Sequence, residues 1–91
     1  MINVDDALVM IREKMTDEYL IVFGYYNDKG KIRITRFEKN GGYTGSLSRA
    51  AKTMTTFNKY FKENYKMKGH LLNYPGSYGQ KNFIKLVERI D

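Results

Sequence analysis

Residues 19–37 constrain what this chain can fold into more than any other stretch. Tyr19-Leu20-Ile21-Val22-Phe23-Gly24-Tyr25-Tyr26 is a run of β-formers, and Lys31-Ile32-Arg33-Ile34-Thr35-Arg36-Phe37 alternates polar with apolar residues. Between them, Asn27-Asp28-Lys29-Gly30 suits a type I turn with Gly30 left-handed, which makes a bulge. The stretch predicts a β-hairpin. Paired across that turn, Ile21, Phe23 and Tyr25 would share a face with Lys31, Arg33, Thr35 and Phe37, leaving Leu20, Val22, Ile32 and Ile34 on the other. Helices are expected to cover the aliphatic face. The aromatic–basic face would then stack bases and pair with phosphates, or bury itself in a core or against a second copy in a homodimer.

The hairpin is flanked by helical periodicity. Val4, Leu8, Ile11 and Met15 are spaced four, three and four apart, which predicts a helix from Val4 to Met15 with Asn3 as N-cap and Asp5 and Asp6 in its first turn. Asn40-Gly41-Gly42-Tyr43-Thr44-Gly45 reads as a loop. Leu47, Ala50, Met54, Phe57, Phe61 and Tyr65 then form one apolar stripe, predicting a long helix over 47–66 that ends at Lys68-Gly69. His70–Tyr74 has the composition of a short third strand, and Tyr74-Pro75-Gly76 that of a turn. Ser77 stands three before Gln80, as in a capping box, ahead of Phe83, Leu86, Val87 and Ile90. This predicts a C-terminal helix over 78–90, with a strand as the alternative because Ile84, Leu86 and Ile90 share a parity. The expected fold is a single α+β domain over 1–91, in the order α-β-β-α-(β)-α.

Composition narrows the functions. With 91 residues, 42% of them hydrophobic, the chain can close one small core. It has no Cys, which excludes disulfides, thiolate nucleophiles and zinc–thiolate sites. The longest apolar run, Tyr19–Tyr26, is too short for a membrane span, and acidic Asp5 and Asp6 occupy positions where a secretion signal would be basic. A cytoplasmic protein that does not enter membranes is expected. His70 is the only histidine, no acidic pair falls where a cleft is expected, and no phosphate-binding or nucleophile motif is present. A non-catalytic protein without cofactor or metal is expected.

Charge carries the strongest functional signal. The net charge is +6, yet residues 1–18 hold five acidic residues against Arg12 and Lys14, whereas residues 29–85 hold thirteen Lys and Arg against Glu38 and Glu63 alone. Such polarity attracts polyanions. On the expected helix Arg49, Lys52, Lys59 and Lys66 span roughly a third of the circumference, with Lys62 at the edge. That ridge would track phosphates, whereas an ordinary solvated face would mix in more Glu. The amides after Gly42, in the Gly42-Tyr43-Thr44-Gly45 pattern, would add an anion contact at the helix start, although a plain glycine connector has the same composition.

Over residues 4–66 the leading helix, hairpin, glycine loop and basic helix, with Arg49, Ala51 and Lys52 near its start, resemble double-stranded-RNA-binding domains. The family's third strand and its run of consecutive lysines have no counterpart here, nor does the family account for the C-terminal segment. The Lys/Asn/Tyr-rich composition is similar to that of small phage or mobile-element proteins. The expected function is therefore binding of DNA or RNA through Arg49, Lys52, Lys59, Lys62, Lys66, Lys31, Arg33, Gly42 and Gly45. The alternative is a protein-binding module or inhibitor that docks on an acidic surface of a host protein through Tyr25, Tyr43 and Tyr60.

Overall fold

In a computed structural model the chain forms one five-stranded antiparallel sheet with a helix on each face. Residues 3–51 and 53–90 are described, with backbone alone at 48–50 and 69–71. The elements are α1 (Val4–Arg12), β1 (Tyr19–Tyr26), β2 (Ile32–Lys39), β3 (Thr44–Ala51), α2 (Met54–Phe61), β4 (Tyr65–Pro75) and β5 (Lys81–Arg89). The sheet order is β3-β2-β1-β5-β4, so the early hairpin strand β1 pairs with the last strand of the chain.

The first helix forms where its periodicity predicts. The Asn3 side chain accepts a hydrogen bond from the Asp6 amide at 2.8 Å, and Ala7, Leu8 and Ile11 are buried. It ends three residues early, because the Lys14 and Met15 amides turn back to the carbonyls of Ile11 and Arg12. Met15 still packs on the same cluster.

The hairpin also forms, closed by the Gly30 amide on Asn27 O at 2.9 Å with Gly30 at φ 75°. Its register contains a step the alternation hides. Phe23 pairs with Arg36 whereas Gly24 pairs with Ile34, so Thr35 is an extra residue in β2. Gly24 permits this bulge, since a Cβ there would overlap the Arg33 carbonyl. The step reverses the parity of β2. Phe37 joins Ile32, Ile34, Leu20 and Val22 beneath α2, while Ile21 and Phe23 are buried beneath α1. The expected open aromatic–basic face is thus closed. At 0% and 4% exposure, Ile21 and Phe23 are accessible neither to a nucleic acid nor to a second copy.

The long helix over 47–66 does not form, and three elements replace it. β3 runs to Ala51 beside β2, and Thr53, extended at φ −147°, caps α2 by accepting from the Thr56 amide at 3.2 Å. Lys62 stops the helix in the left-handed conformation at φ 54°, and the Glu63 amide donates back to Asn58 O. The Asn58 side chain then holds both the amide and the carbonyl of Tyr65, which sets the start of β4. Leu47, Met54, Phe57, Phe61 and Tyr65 nevertheless reach one cluster, as the stripe predicts. A short helix packed across the inner face of two strands reproduces the spacing of a single helix.

The C-terminal helix is likewise replaced by its alternative, a strand. Phe83 and Val87 of β5 are buried toward α2, and Ile84 and Leu86 toward α1. A strand covered on both faces loses its alternation, and its apolar positions then mimic spacings of three and four. The short strand expected over His70–Tyr74 is part of the longer β4. Among the described residues, no helix is long and apolar enough to cross a membrane.

Candidate nucleic-acid interface

Two hairpin tips lie side by side at one end of the sheet. Because β1 neighbours β5, with Tyr26 paired to Lys81, the turn Asn27–Lys31 stands next to the turn Gly76–Gln80. Between them opens a groove of about 1410 Å³. Its walls carry Lys29, Lys31, Arg33 and Lys81, with Asp28 the one acidic group among the described residues that line it, and Tyr25, Tyr26 and Tyr78 supply aromatic surface.

Both turns are fixed by their own hydrogen bonds. The Asn27 side-chain oxygen accepts from the amides of Lys29 and Lys31, each at 2.9 Å, and the Asn27 amide donates to Lys31 O. Opposite, the Gly76 amide donates to Gln80 O at 2.6 Å and the Gln80 amide to Ser77 O at 3.2 Å. The basic side chains themselves have no ion-pair partner among the described residues. Lys29, Lys31 and Lys81 are exposed and Arg33 is half-buried. Four cations facing one open groove raise its potential and leave their donors for anionic oxygens.

The expected site residues divide between this groove and the rest of the molecule. Lys31, Arg33 and Tyr25 line it. Lys29, Tyr78 and Lys81 also line it; Tyr78 and Lys81 fall in the segment expected to be a C-terminal helix, and Lys29 in the turn of the expected hairpin. Pro75-Gly76 and Gly79, turn-forming residues between two stretches of strand-forming composition, are the signal that would have found the second tip.

The remaining expected residues lie elsewhere. Gly42 sits in the turn between β2 and β3, at the opposite end of the sheet, and its amide donates to Lys39 O at 3.2 Å rather than pointing outward. Gly45 is in β3, where a Cβ would overlap the Phe37 ring, so its lack of a side chain serves packing. Neither opens a helix. The ridge of one helix face is also absent: Arg49 is in β3, Lys59 on α2, Lys62 at its C-cap and Lys66 in β4 opposite Glu88. The side chains of Arg49 and His70, and all of Lys52, lie outside the described residues. Tyr43 and Tyr60 are exposed, Tyr43 with its ring 6.0 Å from that of Phe37.

Two ion pairs lie toward the opposite end. Arg12 binds Glu38 through two hydrogen bonds, 2.8 and 2.9 Å, and this contact holds the guanidinium above its ordinary value. Lys68 lies 2.8 Å from Glu88, whose carboxyl is held below its usual range by that hydrogen bond. Burial, and secondly a hydrogen bond to Glu63, push the Tyr65 phenol up to about 12. Among the described residues, no three His, Asp or Glu side chains gather as metal ligands would. Comparison with protein-family models, with curated proteins and with solved structures finds no match.

Proposed function

We propose that this chain is a non-catalytic nucleic-acid-binding protein that holds the phosphate backbone in the groove between its two hairpin tips. The observation that carries the reading is the convergence of Lys29, Lys31, Arg33 and Lys81, all without ion-pair partners among the described residues, on one concave surface. Phosphate contacts of this kind supply sequence-independent affinity that falls with salt. Titration of DNA and RNA oligonucleotides at two salt concentrations tests it. Binding that weakens as salt rises is expected, and no binding at low salt removes the proposal.

A second reading takes an acidic protein surface, of a host factor in the case of a phage or mobile-element inhibitor, as the ligand. It is favoured by Tyr43 and Tyr60, 62% and 54% exposed, which lie outside the groove lining and are of the residue type that anchors protein interfaces. Recovery of one protein from a nuclease-treated lysate, together with failure to bind oligonucleotides, would select it.

A further inference from the structure

The tip of the second hairpin holds a residue that its backbone does not favour. Tyr78 has φ 58° and ψ 34°, and Gly79 follows at φ 75°, the dihedrals of a type I′ turn. That turn requires two left-handed residues, and Asn-Gly is the pair that adopts them at least cost. Here the first position is tyrosine, with no local hydrogen bond of the kind an Asn side chain makes. The ring gains nothing from packing in return, because Tyr78 is 107% exposed, as open as an isolated residue. Packing and backbone preference both argue against tyrosine at this point, so a role outside the folded chain explains it best.

The surroundings indicate the ligand. Tyr78 stands on the rim of the groove whose walls carry Lys29, Lys31, Arg33 and Lys81. The tip is held in place from below: Gly76 and Gln80 bridge its base, and a Cβ on Gly76 would overlap the Asn82 side chain packed under the turn. An exposed aromatic ring on a hydrogen-bonded turn beside a cationic groove is the combination that binds unpaired nucleic-acid strands, with rings stacking on bases and cations tracking phosphates. In a duplex the base faces are already stacked on one another and are closed to such a ring.

We propose that Tyr78 is a base-stacking residue and that the ligand of the groove is an unpaired strand of DNA or RNA. The inference rests on the nucleic-acid reading above and adds to it the strandedness of the ligand and the residue that senses it. The test uses the whole chain and three labelled probes: a short oligothymidylate, an abasic strand with the same phosphates, and a duplex of equal length. At low salt the oligothymidylate should bind roughly ten- to a hundredfold tighter than the abasic strand. Tyr78→Ala should cut that difference by at least about fivefold, with a far smaller effect on the abasic strand, and Tyr78→Phe should retain it. Tyr78→Gly, which suits the left-handed backbone, should behave as Tyr78→Ala does and guards against a folding defect. Equal affinity for the two strands, a duplex bound more tightly than either, or an indifferent Tyr78→Gly overturns the inference while the phosphate reading stands. Absence of binding to all three probes overturns both.

Discussion

The two ends of the sheet differ in where ion pairs form: Arg12–Glu38 and Lys68–Glu88 lie away from the groove, although exposed Lys39 at the far end has no such partner among the described residues. At the end bearing the turn between β2 and β3, Arg12 grips Glu38 through two hydrogen bonds, and along the far half of β4 Lys68 pairs with Glu88. At the end bearing the two adjacent hairpin tips, Lys29, Lys31, Arg33 and Lys81 line an open groove with no ion-pair partner among the described residues. Removing a charge at the first end leaves its partner uncompensated, whereas removing one at the second end relieves repulsion. Stability is therefore expected to depend on the first set and affinity on the second.

Four experiments sharpen or break that contrast. The largest effect is expected from Lys31→Glu combined with Lys81→Glu. At about 1.5 kcal/mol for each charge-assisted hydrogen bond to phosphate, affinity for a single strand should fall about a hundredfold. The slope of log affinity against log salt should flatten by about 1.4, with the melting temperature unchanged. Lys59→Glu with Lys62→Glu, on α2 and its cap, is the matched control, and an equally large drop there would move the interface away from the groove. Next, Arg12→Met should destabilise the fold by about 2 kcal/mol in denaturant titrations, because Glu38 is only 8% exposed and would be left without its guanidinium. Its oligonucleotide affinity should not change.

Smaller effects follow at the other two positions. Tyr78→Gly should raise stability by about 0.5 kcal/mol, roughly 2–4 °C in a thermal melt, by relieving the left-handed backbone strain. A lower melting temperature would mean that Tyr78 is held by its neighbours rather than by its turn. Last, Lys68→Met should show a small deficit whose pH range is set by the pair. Glu88 is held below its usual range, so the wild-type advantage is present above the ordinary glutamate pKa and disappears as pH falls through the lowered value. Lys68 is held above its usual range by the same hydrogen bond, so the advantage also disappears in strong alkali. A deficit that persists unchanged into acid would contradict the pairing.

The early hairpin and α1 are legible in the sequence because their signals are local: Asn27 and Gly30 specify the turn, and Asn3 specifies the helix start. In the segment from Leu47 to Tyr65 the core residues are legible but the elements are not, since Leu47, Met54, Phe57, Phe61 and Tyr65 meet in one cluster without sharing a helix. The end of β3, a two-turn helix and the start of β4 all present that cluster to the same sheet face, and apolar spacing does not distinguish this from one continuous helix. Thr53, an N-cap inside the supposed helix, is the local clue. For β5, burial of Phe83 and Val87 on one side and Ile84 and Leu86 on the other removes the alternation that marks a strand. Of the expected site residues, Lys31, Arg33 and Tyr25 lie in the groove because they belong to the hairpin that local signals specify.

The amino-acid sequence by itself determined the hairpin, the leading helix, the apolar core and an excess of cations after residue 28, since each depends on neighbours a few positions apart. The pairing of β1 with β5, the bulge that sends Phe37 to one face and Arg36 to the other, and the meeting of Lys31 with Lys81 were decided only by the tertiary structure. The β1–β5 pairing joins residues 55 to 69 positions apart, and that choice is made by burying both faces of one sheet at once.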